Sequence, residues 1–213
     1  MKGRELEGLA LGRDFPGSLD DDTSYYGRLT YEKGEGRLRL ALTWAQLNID
    51  YEPSEPFPED LRAGSIRFEP FIVSAQLNQE NWSLTAEYAS RPFEYRHFGY
   101  PLPDRTITGE SYYLQGIYKF SNNWEGMIRY DIFYSNRDDR HGRKFERPGR
   151  PDYSFFAKDL TLGLRWDINR SLMLRSEYHY VNGTAWLSSE DNPDPSKTRQ
   201  YWDLFAVLMA YSF

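Results

Sequence analysis

The side chains in this 213-residue sequence that could do chemistry are charged residues recurring at every second position, and three histidines. Arg28, Arg37, Arg39, Lys119, Arg129, Arg165 and Arg175 are basic; Glu87, Glu125, Asp131 and Glu177 are acidic. On an extended chain, spacing by two puts side chains on one face. Seven basic against four acidic groups is a net +3, which along a water-filled wall gives a weak preference for anions. The competing reading is internal pairing: Arg129 with Asp131, or Arg175 with Glu177, would fill a narrow interior with ion pairs. His179 lies two residues from Glu177 on the same face, a carboxylate–imidazole spacing that could activate water. His97 and His141 are isolated. With no cysteine there is no disulfide, thiolate metal site or thiol nucleophile.

Two stretches carry charge without strand periodicity. Asp20, Asp21 and Asp22, and then Asp50, Glu52, Glu55, Glu59, Asp60 and Glu69, are acidic; carboxylates of this kind take divalent cations, but their spacing matches no calcium loop and no metal site is assigned. Arg137, Arg140, Arg143, Lys144, Arg147 and Arg150 form a basic stretch. Guanidinium groups suit phosphate and carboxylate, so these could grip lipopolysaccharide phosphates, fold inward as a constriction, or sit in a solvated loop.

Composition narrows the class. The chain is 39% hydrophobic and 27% charged, with net charge −6 and a mean hydropathy of −0.76. No uncharged run reaches the ~18 residues of a membrane helix. Disorder is excluded by aromatics at 17%, since disordered chains are aromatic-poor. A net negative charge without a continuous basic face argues against nucleic acid. No apolar core of about 7 to 15 residues follows Met1, so no secretory signal is expected within this chain.

The elements that must position these residues are strands. Period-two alternation marks Tyr25 to Glu32, Arg37 to Ala45, Phe71 to Asn78, Trp82 to Ala89, Tyr112 to Phe120, Trp124 to Tyr134, Leu160 to Asp167, Leu172 to Tyr180 and Tyr201 to Phe213, with a weaker tenth at Arg4 to Gly12. Their links alternate in length. Residues 33–36, 79–81, 121–123 and 168–171 are tight turns, and 46–70, 90–111, 135–159 and 181–200 are long polar loops. The expectation is an all-β, antiparallel, up-and-down barrel with its turns at one end and its loops at the other.

Each strand has one uncharged face, such as Leu38, Leu40, Leu42 and Trp44, or Leu160, Leu162, Leu164 and Trp166. A water-soluble sandwich would bury that face, whereas an outer-membrane barrel would turn it to lipid. Aromatic placement favours lipid. Tyr31, Trp82, Phe120, Trp124 and Trp166 sit beside the turns, and Trp44, Tyr88, Tyr112, Tyr134 and Tyr180 beside the loops, two rows flanking an aliphatic band.

The last strand, Tyr201-Trp-Asp-Leu-Phe-Ala-Val-Leu-Met-Ala-Tyr-Ser-Phe213, resembles the C-terminal assembly signal of Gram-negative outer-membrane proteins, with Tyr211 and Phe213 as its terminal aromatics. With Leu174 to Leu187 and Asn81 to Tyr88, the chain resembles the C-terminal part of a bacterial porin. That resemblance implies a passive, cofactor-free outer-membrane channel for small hydrophilic solutes or ions, with short periplasmic turns and long extracellular loops. It implies contact with membrane lipid and lipopolysaccharide and insertion by the barrel assembly machinery, and it leaves room for a homotrimer. Two extents fit: one domain over 1–213 forming a complete ten-stranded barrel, or part of a porin of ~16 to 18 strands. A different class also fits ten strands: an omptin-like surface enzyme built on His179 and Glu177, or a closed structural or adhesive barrel.

Overall fold

The computed structural model describes residues 17–53, 62–99, 103–146, 148–188 and 191–212. These residues are all-β. The strands are β1 (Gly17–Asp21), β2 (Tyr25–Lys33), β3 (Leu38–Pro53), β4 (Gly64–Phe68), β5 (Phe71–Asn78), β6 (Trp82–Arg96), β7 (Arg105–Lys119), β8 (Trp124–Tyr134), β9 (Phe156–Asp167), β10 (Leu172–Asn182) and β11 (Tyr201–Tyr211). They form one sheet in the order β1-β3-β4-β6-β7-β8-β9-β10-β11, with β2 on β3 and β5 between β3 and β6. Neighbours run antiparallel from β7 through β11. Among the described residues no helix is long and apolar enough to cross a membrane.

All nine clearly expected strands are present, and the departures lie at their loop ends. Residues expected in long loops extend β3 to Pro53, β6 to Arg96 and the start of β7 back to Arg105, and they add β4; β1 forms ahead of the first clearly expected strand. The alternation Leu47, Ile49, Tyr51 and the pair Ile66, Phe68 is strand-like, but the charges and prolines interleaved with it mask the period. The expected strand at Arg4 to Gly12 and the terminal Phe213 lie outside the described residues.

The contacts divide the chain into two units, residues 1–28, 43–71 and 90–108, and residues 29–42, 72–89 and 109–213. The first packs like a water-soluble protein. Tyr51, Ile66 and Phe98 are fully buried, with Leu19, Ile49, Phe93 and Tyr95 around them. The ladder explains this core: Tyr51 pairs with Leu19 on one side and Gly64 on the other, and Ile66 pairs with Ile49 and Tyr95. Gly64 leaves the room that the Phe98 ring takes, since a Cβ there would come within 2.7 Å of it.

The second unit reverses the pattern. Its large apolar side chains point outward: Ile128 is 55% exposed, Leu162 50% and Val207 58%. The opposite face is sheltered, with Thr161 1% and Asp159 4% exposed. The aromatic rows pair across strands, Trp124 stacking on Trp166 with centroids 5.1 Å apart beside the turns, and Tyr180 on Tyr201 at 6.3 Å beside the loops. Asp203, a charge on the apolar face, accepts a 2.6 Å bond from the Tyr178 hydroxyl.

Backbone bonds tie the tight turns into one rim: Asn78 N donates to Arg37 O, Lys119 N to Asn81 O, Asp167 N to Asn123 O and Ser212 N to Ser171 O. At the other end the loops after β8 and β10 hold each other. Thr184 N donates to Tyr153 O at 2.8 Å, the Tyr153 hydroxyl donates to Thr198 O at 3.0 Å, and Trp202 Nε1 donates to Gly183 O at 3.0 Å. Gly183 has φ +102, and a Cβ there would overlap the Phe156 carbonyl. Gly183→Ala is therefore expected to destabilise the fold by about 1 to 3 kcal/mol. Gly116→Ala, whose Cβ would meet Ile128 at an ordinary 3.7 Å, should shift stability by less than about 0.5 kcal/mol. Urea titrations followed by tryptophan fluorescence check both.

Candidate functional site

The sheltered face of the second unit collects the chemistry-bearing residues in rows set by the strand register. Nearest the turns, Lys119 lies opposite Glu125, Glu125 opposite Arg165 and Arg165 opposite Arg175. Higher up, Gln115, Arg129, Thr161 and His179 share a row. Above that, Tyr113 faces Asp131 and Asp131 faces Asp159. Of the other expected wall residues, Glu87 is half-buried on β6, Arg37 sits in the turn before β3, and Arg28 is exposed on β2 in the first unit.

Nearly every arginine here meets a carboxylate on its own or the next strand. Arg129 Nε donates to Asp131 Oδ2 at 2.5 Å, Arg165 Nη2 to Asp167 Oδ1 at 2.9 Å, Arg39 Nε to Glu32 Oε2 at 3.2 Å, and Arg175 pairs with Glu177. The two pairings read from spacing, Arg129 with Asp131 and Arg175 with Glu177, are both formed. The guanidinium of Arg129 also lies 5.4 Å from the centre of the Tyr113 ring. Side chains of these pairs remain partly open to solvent, Arg129 at 39% and Arg175 at 46%. Pairing and access to solvent therefore coexist on this face.

His179 binds a partner that sequence reasoning missed. Its Nδ1 lies 2.7 Å from Asp159 Oδ2 and 3.1 Å from Thr161 Oγ1, while Nε2 lies 3.5 Å from Glu177 Oε2. Asp159 falls within a stretch expected to be loop, and the strand that carries it begins at Phe156. Glu32 and Asp167 also belong to this face. The signal for both was available, since each shares the parity of Arg28 or Arg165 on its own strand. Among the described residues no group of His, Cys, Asp and Glu is arranged to hold a metal ion.

The basic loop after β8 is ordered by its own acids. Asp139 accepts from the backbone N–H groups of Arg143 and Lys144. Arg140 donates to the buried Glu110 at 2.7 Å, and that carboxylate raises the Arg140 pKa above its ordinary value. Arg143 lines an open groove of about 530 Å³ with Glu146, Tyr153 and Ser196. Arg147, Glu55, Glu59 and Asp60 lie outside the described residues.

No family model matches the chain, and no curated protein matches it in sequence. A solved structure of NanC, a porin, is similar in fold, with a TM-score of 0.46 and 8% identity over 92% of this chain and 97% of that one.

The loop before β11 carries a pH-dependent contact. Asp194 is held below the ordinary carboxylate range, first by the hydrogen bond from the Ser196 hydroxyl and then by Lys197. A depressed native pKa stabilises the loop fully above the unfolded value near ~3.9 and loses that contribution as pH falls through the native value. Hydrogen exchange of Ser196 and Thr198 is expected to lose protection as pH falls below about 4, beyond the intrinsic pH dependence of exchange. Asp194→Asn should remove that loss.

Proposed function

We propose that this chain forms the wall of a porin-like channel in a bacterial outer membrane, passing small hydrophilic solutes or ions by passive diffusion. The observation that carries this reading is the inverted exposure of the second unit. Its apolar face, bounded by two aromatic rows, is turned out, and its charged face is sheltered around Asp131, Asp159 and Thr161 while the turn-side arginines stay open to solvent. In water such a surface would be an aggregation hazard, because patches beyond a few hundred Å² mark interfaces or membrane contact. Against hydrocarbon it is the stable arrangement, provided that every backbone group is satisfied within the sheet.

Charge selectivity follows from the wall. Adding Glu32, Asp159 and Asp167 to the eleven residues read from spacing makes seven basic and seven acidic groups. The weak anion preference expected from a net +3 shrinks accordingly toward none. The surface-enzyme reading rests on His179 alone, whose Nδ1 is held by Asp159 at 2.7 Å while Nε2 lies 3.5 Å from Glu177, a carboxylate-oriented imidazole of the kind general-base chemistry uses.

Two measurements test the proposal. Leu162→Arg and Ile128→Arg place a charge in the middle of the lipid-facing band and are expected to cost about 2 to 4 kcal/mol of stability in bilayers; unchanged stability would contradict lipid contact. In planar bilayers the purified chain should conduct, with a reversal potential close to zero in a potassium chloride gradient. Absence of conductance in folded, inserted protein would overturn the channel.

A further inference from the structure

We infer that the wall is electrically polarised along the strands, basic at the turn end and acidic toward the loops, so that the channel rectifies ion current. This rests on the channel reading above and goes beyond it, from the sum of wall charges to their order along the conduction path.

The register supplies the order. In the second unit the sheltered face beside the turns carries Arg39, Lys119, Arg165 and Arg175 against Glu32, Glu125 and Asp167, a net +1. The turns themselves add Lys33, Arg37 and Arg170 against Glu35 and Glu80, which makes this end +2. From Glu177 upward the same face carries Glu87, Asp131, Asp159 and Glu177 against Arg129 alone, a net −3 with His179 neutral.

Along β9 the step from Arg165 in the turn-side row to Asp159 in the loop-side row is six residues, about 20 Å along a strand at ~3.3 Å per residue. That separation exceeds the ~10 Å Debye length at 0.1 M salt, so the two outer rows keep separate counterion clouds although the zones meet at Arg175 and Glu177. The Arg175–Glu177 pair straddles the boundary and is neutral as a whole; leaving it out, the turn end stands at +1 and the loop side at −2, so the order is kept. Two loop cations beyond the acidic row are directed elsewhere: Arg140 to Glu110 and Lys144 to the Asp138 carbonyl. The face of β11 that continues the row is uncharged, with Leu204 opposite His179 and Leu208 opposite Arg175.

Two zones of opposite fixed charge in series act as an ionic diode. Cations gather against the acidic zone and anions against the basic zone. A voltage positive on the loop side drives both populations toward the boundary and fills it with carriers; the opposite voltage empties it. Conductance is therefore higher with the loop side positive.

The test is single-channel current–voltage recording of the full chain in planar bilayers. Because the sequence has no cysteine, orientation is assigned by a single cysteine at Ser188, in the loop after β10, blocked from one chamber with a bulky maleimide. The expected conductance ratio is about twofold or more at 0.1 M potassium chloride, falling toward one at 1 M, where the Debye length is ~3 Å. Asp131→Asn with Glu177→Gln should lower the ratio at 0.1 M toward one while the channel still opens. Conductance that is symmetric at 0.1 M, or larger with the loop side negative, overturns the inference and leaves the channel standing. Folded, inserted protein that does not conduct overturns both.

Discussion

The rest of the structure depends on the pairing of backbone N–H and C=O groups across strands. In hydrocarbon an unpaired amide costs several kcal/mol, so a spanning segment that is not a helix must give its hydrogen bonds to neighbouring strands. The ladders from β7 to β11 do this residue by residue. Once the ladder is fixed, the two-residue period leaves no freedom about which side chains share a face. A slip of one residue would exchange Leu160, Leu162 and Leu164 for Asp159, Thr161 and Gly163. The contrast between the faces makes register and solvation one decision.

On the proposed reading the two units use the same ladder against two solvents. In the first, apolar side chains converge on Tyr51, Ile66 and Phe98, and hydrophobic burial drives packing. In the second, leucines and valines stand outward, where under the proposal lipid tails cost them nothing, and the opposite face satisfies its charges by pairing. That pairing takes the repeated Arg-x-acid pattern of Arg129 with Asp131, Arg165 with Asp167 and Arg175 with Glu177. Side chains two apart on a strand lie on one face, so each strand neutralises much of its own charge and leaves a small, ordered excess.

How far the fold was legible depended on how cleanly the period stood out. Trp124 to Tyr134 and Phe71 to Asn78 match their expected bounds because an uncharged face recurs there at every second position between flanking turn and loop residues. The outer parts of β3, β6 and β7 were hidden, since their exposed positions carry charges and prolines that also characterise loops. The strand between Gly64 and Phe68 was missed for the same reason. At the site, the arginine pairs could be read from spacing within one strand. The contact between His179 and Asp159 could not, because it depends on the register between β9 and β10 and on β9 beginning at Phe156 rather than at Leu160.

The central claim is that the outward apolar face meets lipid. Spin labels on single cysteines introduced in turn from Leu160 to Trp166, in protein reconstituted into vesicles, report it directly, because the sequence has no cysteine of its own. Labels at 160, 162, 164 and 166 should be relaxed by dissolved oxygen, which concentrates in hydrocarbon, and labels at 161, 163 and 165 by a water-soluble nickel chelate. A period of two in that phase is the predicted result. The opposite phase, or equal nickel access at every position, would contradict the account.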